Sequence, residues 1–354
     1  MLEAENSRLQ KKKSEKHYFR VEDIQHDDKL VRFYTGFVSY ALFLAFFEFL
    51  GPAVDHLIYW GSKEGVRQRH RVRKLDPKNQ LFLTLVKLRL NLKLTDLAFR
   101  FGLSPSRTSR YLATWICFLY RQLKEIDWMP AVDQVFETLP SGFKEKYPKT
   151  YAIIDGSEVF IETPSDLHMQ SSTWSQYKHH NTVKFSPNGA ICFISPVYVG
   201  SISDVELTRV CGFLTALEDK PGVSIMADRG FTIKDMLKKF NIDLNIPPFL
   251  DGQQQLPPEQ IQSGRRIASL RIHVEPAIGR IKVYSILKAT IPLSMARLTN
   301  QIIFVCAFLT NFQPALIPLP TDPDDKDIES YFDQLSDRDS DITDSDVDSD
   351  GVDA

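Results

Sequence analysis

Two short apolar runs, each followed by an aspartate, constrain the fold more than any other feature of the sequence. Tyr151–Ile154 precedes Asp155, and Val223–Ala227 precedes Asp228. Apolar runs of about four to eight residues between polar segments are typical of buried β-strands. The two runs therefore predict strands of an α/β domain, with a carboxylate at the end of each strand.

The remaining periodicity predicts a mixed sheet flanked by helices. Three early strands follow one another closely, with Ser186–Gly189 as a tight turn, and later strands alternate with helical segments. The predicted strands are Tyr151–Ile154, Thr182–Phe185, Ala190–Tyr198, Val223–Ala227 and Asp243–Ile246. The predicted helices are Asp204–Leu217, Ile233–Phe240, Gln260–Ile286 and Arg297–Asn311.

Charge is unevenly distributed along the chain. The 354 residues have a formal net charge of −2, but residues 321–354 carry fourteen acidic and two basic side chains, a net charge of −12. The preceding 320 residues therefore carry a net charge of +10. A basic body predicts a polyanionic partner such as nucleic acid. The Asp/Ser-rich tail is too polar to form a core, so we expect it to be disordered, which also suits a purely solubilising extension.

Cysteine usage and the apolar segments exclude several protein classes. The four cysteines are far apart and form no CxxC pair, so neither a zinc finger nor a disulfide framework is expected. Residues 1–16 are polar and charged, unlike a secretory signal. Val38–Val54 is strongly apolar but short for a membrane span and interrupted by Glu48, so we expect a buried helix and no membrane association.

A helix-turn-helix is predicted between residues 94 and 112. Thr95 is a suitable N-cap for the first helix, and Gly102 can supply the positive φ of the turn. Ser104 followed by Pro105 is typical of the start of the second helix. A helical hairpin that only supports the neighbouring domain would carry much of the same pattern.

Basic and small polar residues near this helix-turn-helix favour DNA contact over that alternative. The second helix would present four exposed residues to the major groove, namely Ser106, Arg107, Ser109 and Arg110. The single-signed run Arg67–Lys74 directly precedes the pattern. Such a run contacts phosphates or acts as a nuclear import signal, and otherwise forms a solvated surface.

Six motifs occur in order between residues 154 and 275. They are Ile154–Glu158, Tyr177–Thr182, Ser186–Ala190, Gly200–Asp204, Ala227–Phe231 and Arg265–Glu275. Together they resemble the DDE-superfamily endonuclease domain of Harbinger-like and insertion-sequence-type eukaryotic transposases. The helix-turn-helix is similar to the one that these proteins carry. The resemblance covers about residues 20 to 315 and implies an RNase H-like fold.

The resemblance implies that Asp155, Asp228 and Glu275 form a catalytic, metal-binding triad. Carboxylates are the ligands that Mg²⁺ and Mn²⁺ prefer in proteins. Two such ions would activate the attacking oxygen and stabilise the leaving oxygen. Asp204 competes for the second acid position, but it follows Ser203 at a helix start, where an aspartate is common without any metal. We therefore assign Asp204 a structural role.

Basic residues near the acids are candidate DNA ligands. Arg229 follows Asp228, and Arg271 precedes Glu275 by one helical turn, so either could orient a carboxylate or hold a phosphate. Lys178 and His179 would lie on a loop between strands and touch the DNA backbone, although ordinary loop residues have the same appearance. Glu158 and Glu162 are expected at the surface.

Two departures from the family's pattern bear on activity. The strand Thr182–Phe185 is short, because Ser186 follows Phe185 directly, and lost pairing there would loosen the sheet. Pro276 follows Glu275, and a proline inside a helix costs roughly 3 kcal/mol and disfavours helical geometry at the preceding residue. A misplaced Glu275 would leave a catalytically inactive DNA-binding or protein-interaction module.

The leading hypothesis is a nuclear, transposase-derived DNA endonuclease that cuts phosphodiester bonds with two divalent ions, by hydrolysis or strand transfer. Its expected partners are double-stranded DNA (transposon ends or target) and further copies of itself. The predicted organisation is a basic coiled-coil stub (1–20), a helical N-terminal region (21–71), the helix-turn-helix (72–125), the endonuclease domain (145–314) and the acidic disordered tail (321–354).

Overall fold

A computed structural model describes residues 17–61, 74–185, 191–249, 255, 257–271 and 274–313. Four predicted features lie outside this part of the chain. They are most of the stub 1–20, the basic run apart from Lys74, the turn Ser186–Gly189 and the acidic tail. The described residues are mixed α and β, with a helical N-terminal region before the strands, as predicted.

The helical and extended segments follow the predicted order. The helices are α1 Asp28–Thr35, α2 Tyr40–Leu50, α3 Pro77–Leu90, α4 Leu94–Arg100, α5 Pro105–Lys124, α6 Val132–Thr138, α7 Ser141–Lys146, α8 Leu167–Thr173, α9 Asp204–Val210, α10 Lys234–Lys238, α11 Pro258–Arg271, α12 Val274–Lys282, α13 Ser285–Lys288 and α14 Thr299–Leu309. The strands are β1 Thr150–Ile153, β2 Ser157–Phe160, β3 Trp174–Ser175, β4 His180–Phe185, β5 Tyr198–Val199, β6 Ser224–Met226 and β7 Asp243–Asn245.

The strands form two sheets that meet where β1 ends. One sheet is parallel, in the order β1-β6-β7, and the other is antiparallel, with β4 paired to β2, β3 and β5. Only the residues 154–156 separate β1 from β2. The chain therefore passes directly from the parallel sheet into the antiparallel sheet at Asp155.

Apolar side chains on both faces of the parallel sheet explain why its strands are buried. On one face, Ile154 and Ile225 belong to a core that includes Leu207 of α9 and Leu237 of α10. On the other face, Ile153 and Met226 pack with residues of α7 and α11. A parallel sheet covered on both faces reads as near-continuous apolar runs, which is the pattern that predicted it.

The helix-turn-helix is present, with one change to its predicted capping. α4 begins at Leu94 after Lys93, whose side chain forms no capping bond, so the predicted Thr95 cap is wrong. Gly102 adopts φ +64° in the turn, and Ser104 Oγ accepts a hydrogen bond from the Arg107 N–H at 3.4 Å. Both features follow from the local sequence, because glycine tolerates positive φ and serine satisfies an orphan N–H at a helix start.

The C-terminal half of α5 packs against α14, beyond the two sheets. Tyr120 meets Phe304 of α14 with ring centroids 4.9 Å apart, and Trp128, just beyond α5, stacks on Phe308 at 4.6 Å. Trp115 is fully buried. This half of α5 therefore has a structural role, and DNA contact by the residues at the start of the helix stays a prediction.

Four predicted elements differ from the structure. The strand Ala190–Tyr198 is wrong over its described residues, since residues 191–197 contain only a single bridge, at Ile194, and only Tyr198–Val199 pairs with β4. The strand predicted as Thr182–Phe185 begins earlier, at His180, and pairs with β2, β3 and β5, so the expected loss of pairing does not occur. The helix predicted as Asp204–Leu217 ends at Val210. The helix predicted as Gln260–Ile286 is interrupted at residues 283–284, and its residues 272–273 lie outside the described part of the chain.

The apolar segment predicted as a buried helix forms α2, in which Phe43, Phe46 and Leu50 are buried. By length and composition alone, one described helical segment, Leu293–Phe312, could cross a membrane, or up to two if the bent pair Asp28–Thr35 and Tyr40–His56 is counted. The core helix of a globular protein passes the same test, and the buried residues of α14 are typical of such a helix.

Candidate active site

Asp155 and Asp228 follow neighbouring parallel strands in matched register. Ile153 lies opposite Met226, and the Ile154 N–H donates to the Met226 carbonyl at 2.9 Å. Each aspartate comes two residues after its member of this pair. Because adjacent strands lie about 4.8 Å apart, the two backbones are neighbours at this edge of the sheet. The structure brings together the two aspartates that the sequence pattern selected.

Both aspartates are also held by the loops that follow them. Asp155 Oδ1 accepts a hydrogen bond from the Gly156 N–H at 2.8 Å, and Asp228 Oδ1 accepts one from the Arg229 N–H at 2.7 Å. Asp228 is exposed and Asp155 is half-buried. The pair therefore forms an acidic edge that a cation can approach from solvent.

Asp204 lies between the two loops that carry these acids. A Cβ atom on Gly156 would stand 2.6 Å from Asp204 Oδ1, and one on Gly230 would stand 3.3 Å from Oδ2. Lys184 Nζ of β4 lies 2.8 Å from Oδ1. No donor reaches Oδ1 with hydrogen-bond geometry, so the contact with Lys184 is an ion pair by distance rather than an aligned hydrogen bond.

The role predicted for Asp204 needs correction in its detail. Ser203 is the N-cap of α9, and its Oγ accepts the Glu206 N–H at 3.1 Å, so Asp204 is the first residue of the helix and does not cap it. Its carboxylate instead fills the gap between the loops after β1 and β6. The structural assignment of Asp204 stays a prediction, and the structure adds that its carboxylate lies between the loops that carry Asp155 and Asp228.

We expect Asp204→Ala to lower the free energy of unfolding by about 1–3 kcal/mol, because it leaves the largely buried Lys184 ammonium without its partner. The Lys184 and Asp204 side chains are 13% and 28% exposed, so this ion pair is less screened by water than a pair at the surface. Urea unfolding measures the change. Glu206→Ala on the same helix removes an exposed pair with Arg209 and should cost less than about 1 kcal/mol. Equal losses would show that Asp204 has no special structural role.

Glu275 and Pro276 lie in α12, and the two residues before this helix, 272 and 273, lie outside the described part of the chain. The effect of Pro276 on the position of Glu275 therefore stays a prediction. Ile267 and Leu270 of α11, with Ile278 of α12, pack against Ile153 and Met226. The helix that carries Glu275 therefore lies on the strands that precede the two aspartates.

The side chains of Glu275 and Arg271 lie outside the described part of the structure. Among the side chains that are described, no group of three or more His, Cys, Asp or Glu residues could hold a metal ion. Asp155 and Asp228 supply hard carboxylate oxygens, which fit Mg²⁺ or Mn²⁺ because these ions keep several waters and take few protein ligands.

Lys282 is a candidate site residue that the sequence analysis missed. Burial lowers the pKa of its ammonium, the charge of Lys178 lowers it further, and Glu158 and Asp155 raise it. Lys282 therefore lies within electrostatic reach of the acidic edge. A signal was present, because Lys282 follows Glu275 by seven residues, which is two helical turns on one face of α12.

The predicted DNA ligands form two separate groups. Lys178 and His179 are exposed in the turn before β4, where His179 adopts φ +49°, and Arg229 is exposed beside Asp228. The second group, at the start of α5, is exposed as predicted and consists of Ser106, Arg107, Ser109 and Arg110. Arg110 Nε donates to the Trp60 carbonyl at 2.8 Å, so this guanidinium also has a structural partner.

Glu158 differs from its predicted surface role. It is half-buried on β2, and its Oε2 accepts a hydrogen bond from Thr182 Oγ1 of β4 at 2.7 Å. Glu162 is exposed as expected, and its Oε2 accepts the Leu293 N–H at 3.0 Å. The side chain of Glu158 is thus fixed close to Lys282, on the antiparallel side of the acidic edge.

Comparison with known families agrees with the geometry. Residues 154–311 match the family described as DDE superfamily endonuclease, and residues 73–125 match the helix-turn-helix of DDE superfamily endonuclease. The two matches together span more than half of the chain and contain both groups of candidate residues. No curated protein matches the chain. Residues 154–311 are therefore a DDE superfamily endonuclease domain, preceded at residues 73–125 by the helix-turn-helix of that superfamily.

Proposed function

We propose that this protein is a transposase-type DNA endonuclease that depends on divalent metal ions and uses Asp155, Asp228 and Glu275 as metal ligands. One observation carries the proposal, namely that Asp155 and Asp228 follow in-register, adjacent parallel strands inside a DDE endonuclease domain. Two carboxylates at neighbouring strand ends can share cations. The helix of Glu275 packs on those strands, so Glu275 would supply the third acid.

We also infer an RNase H-like topology for the nuclease domain. β2 continues the chain of β1 after a three-residue break, so the joined strand has antiparallel neighbours at one end and parallel neighbours at the other. The resulting order is β5-β4-β2, then β1-β6-β7. Three antiparallel strands followed by two parallel ones, with helices on both faces, support this assignment.

The chain's own residues would prepare the strand to be cut. Two bound Mg²⁺ or Mn²⁺ ions would supply the activation of the attacking oxygen and the stabilisation of the leaving oxygen. Lys282, Lys178 and Arg229 carry the positive charge needed to hold phosphates beside the acids. The ion pair between Lys184 and Asp204 keeps the two aspartate loops at a fixed separation. With water as nucleophile the reaction is hydrolysis, and with a DNA 3′-hydroxyl it is strand transfer.

The proposal is tested by incubating the full chain with supercoiled plasmid and Mg²⁺ or Mn²⁺. We expect nicked and linear DNA to accumulate with either ion, and no cleavage in EDTA. Ca²⁺ should support DNA binding with little cleavage, because its coordination is longer and more variable. DNA binding without cleavage under all metal conditions would favour the catalytically inactive alternative.

We propose that the start of α5 contacts double-stranded DNA. The exposed residues there include a cation, Arg107, and the basic body of the chain attracts phosphates at long range. A DNA substrate also favours a nuclear location, and DDE-type cutting at two ends favours an assembly of more than one copy. Size-exclusion chromatography with light scattering, with and without DNA, measures that assembly.

Arg107→Ala should weaken duplex binding and reduce the slope of log K against log salt by about 1, as expected for one lost phosphate contact. Arg121→Ala is the matched control, because Arg121 is exposed on the same helix near its other end. Fluorescence anisotropy at several salt concentrations gives both quantities. If the two variants behave alike, the start of α5 is not the DNA-contacting surface.

A further inference from the structure

A cleft of about 590 Å³ opens beside the acidic edge. It shares Glu158 and Lys184 with the candidate active site, and it runs along β3 and the start of α8. Lys184 Cε would lie 2.9 Å from a Cβ on Gly156, the residue after Asp155. The cleft therefore begins at the acidic edge and extends away from it over the antiparallel sheet.

Two aromatic rings line this cleft and remain open to solvent. Trp174 is 39% exposed and Tyr177 is 80% exposed. Neither ring belongs to a hydrophobic core of the described residues, whereas Phe185, Phe213 and Phe231 near the sheets are buried. Aromatic rings in a cleft provide surfaces on which flat, unsaturated ligands can stack.

Positive charge leads from these rings to the acids. The Lys178 ammonium lies 4.5 Å from the centroid of the Tyr177 ring. The charge of Lys178 lowers the pKa of Lys282, and the charge of Asp155 raises it, so Lys282 is close enough to interact with both. A ligand that fits these groups has a flat ring for the aromatic side chains and an adjacent anion for the lysines. A nucleotide has both, in its base and its phosphate.

Polar side chains between the rings complete the match to a nucleobase. Amide and hydroxyl groups line the cleft and can both donate and accept hydrogen bonds, from Gln170, Ser171, Gln176 and Ser201. Glu158 adds a fixed acceptor, because Thr182 holds its carboxylate. The volume falls within the roughly 300–1,000 Å³ typical of small-ligand pockets, which suits one or two bases but not a duplex.

We propose that this cleft binds an unpaired nucleobase of the DNA strand whose phosphodiester bond lies at Asp155 and Asp228, with the base stacked on Trp174 and Tyr177. The inference rests on the proposed function, since it takes the DNA strand as the ligand. It adds that the substrate is opened, or already single-stranded, by at least one nucleotide beside the cut. Stacking on the two rings offsets the loss of base pairing and stacking in the duplex.

The test measures binding in EDTA, so it does not depend on cleavage. The probes are a blunt duplex and the same duplex with a short single-stranded 3′ overhang containing 2-aminopurine. We expect the wild-type chain to bind the overhang more tightly and to quench its fluorescence. Trp174→Ala should raise the Kd for the overhang roughly 5- to 150-fold, as the loss of one stacked base predicts, and leave the Kd for the blunt duplex unchanged.

Two further variants separate stacking from misfolding. Trp174→Phe keeps an aromatic ring and should restore most of the overhang affinity. Phe49→Ala removes an exposed aromatic ring on α2, outside the cleft, and should change neither Kd. Overhang binding that is unaffected by Trp174→Ala and Tyr177→Ala would overturn the inference, and a partner other than DNA would then be sought for the cleft. Equal losses on both probes would also overturn it.

Failure of this inference and failure of the proposed function give different results. A wild-type chain that quenches 2-aminopurine but never cuts DNA with Mg²⁺ or Mn²⁺ would sink the endonuclease proposal and support the base site. Normal cutting and normal overhang binding by Trp174→Ala would sink the base site alone.

Discussion

Asp155→Asn should strongly reduce metal-dependent nicking, while DNA binding in EDTA is retained. Mutating a residue that only contacts a metal ligand costs roughly 10- to 100-fold in activity, and we expect a larger loss for a ligand itself. The amide keeps the size of the side chain but removes the charge that a hard divalent ion requires. Asp228→Asn should have the same effect, since the two residues follow paired strands in register. Single-turnover cleavage of plasmid DNA measures the rates.

Asp235→Asn is the matched control for these variants. Asp235 is exposed on α10, only seven residues after Asp228, so the same chemical change is made in the same part of the chain. Its cleavage rate should equal that of the wild type. If Asp155→Asn cuts as fast as this control, the acidic edge is not the catalytic centre.

The Asp155 and Asp228 variants should also need a higher metal concentration for cleavage, because each has lost one metal ligand. Raising the Mn²⁺ concentration should recover part of the activity if the variants mainly weaken metal binding, because binding follows mass action. The wild type should reach its maximal rate at a lower Mn²⁺ concentration. Identical metal titration curves for wild type and variants would contradict a role for these carboxylates as ligands.

Gly200→Ala should lower the free energy of unfolding by about 1–3 kcal/mol, the range for overpacking a close contact. An added Cβ would contact Thr182 Oγ1 and would stand 2.7 Å from the Thr173 carbonyl and 2.9 Å from the Thr182 carbonyl. Two of these atoms belong to the backbone of α8 and β4, so they cannot rotate away as a side chain could. The Gly200 N–H also donates to the Thr182 carbonyl at 3.0 Å, which holds the two chains at this distance.

Gly279→Ala makes the same substitution where there is room. Among the described residues, and apart from the adjacent backbone of α12 itself, no atom lies within 4 Å of the position of a Cβ on Gly279, which is exposed. Alanine is favoured over glycine in a helix by about 0.5–1 kcal/mol, so this variant should be slightly more stable than the wild type. Urea midpoints at unchanged m-values measure both changes. Equal midpoints for the two variants would contradict the close approach at Gly200.

The parts of the fold that followed from the sequence are those with a local cause. β1 and β6 were predictable because strands of a parallel sheet covered on both faces require apolar runs. The start of α5 was predictable because Ser104, Pro105 and Gly102 act within one turn of the chain. The adjacency of Asp155 and Asp228 followed from the same logic, since parallel strands present their ends at one edge.

The parts that the sequence did not indicate depend on contacts between distant segments. The pairing of β2 with β4 and the position of Asp204 between two loops arise from residues far apart in the chain, and no periodic pattern marks them. Residues 191–197 are apolar enough for a strand but form only a single bridge, at Ile194, because packing rather than propensity decides extended segments. The role of Lys282 also depends on distant segments, because its charge interacts with Lys178, Glu158 and Asp155 only once α12 packs on the sheets.

The shared core of α5 and α14 fixes the position of the helix-turn-helix relative to the candidate active site. Because Tyr120 and Trp128 contact Phe304 and Phe308, the start of α5 cannot swing freely relative to the acidic edge. A DNA site gripped at Arg107 would therefore be cut at a constant offset along the duplex. The length of α5 would then determine the distance between the recognition sequence and the nick.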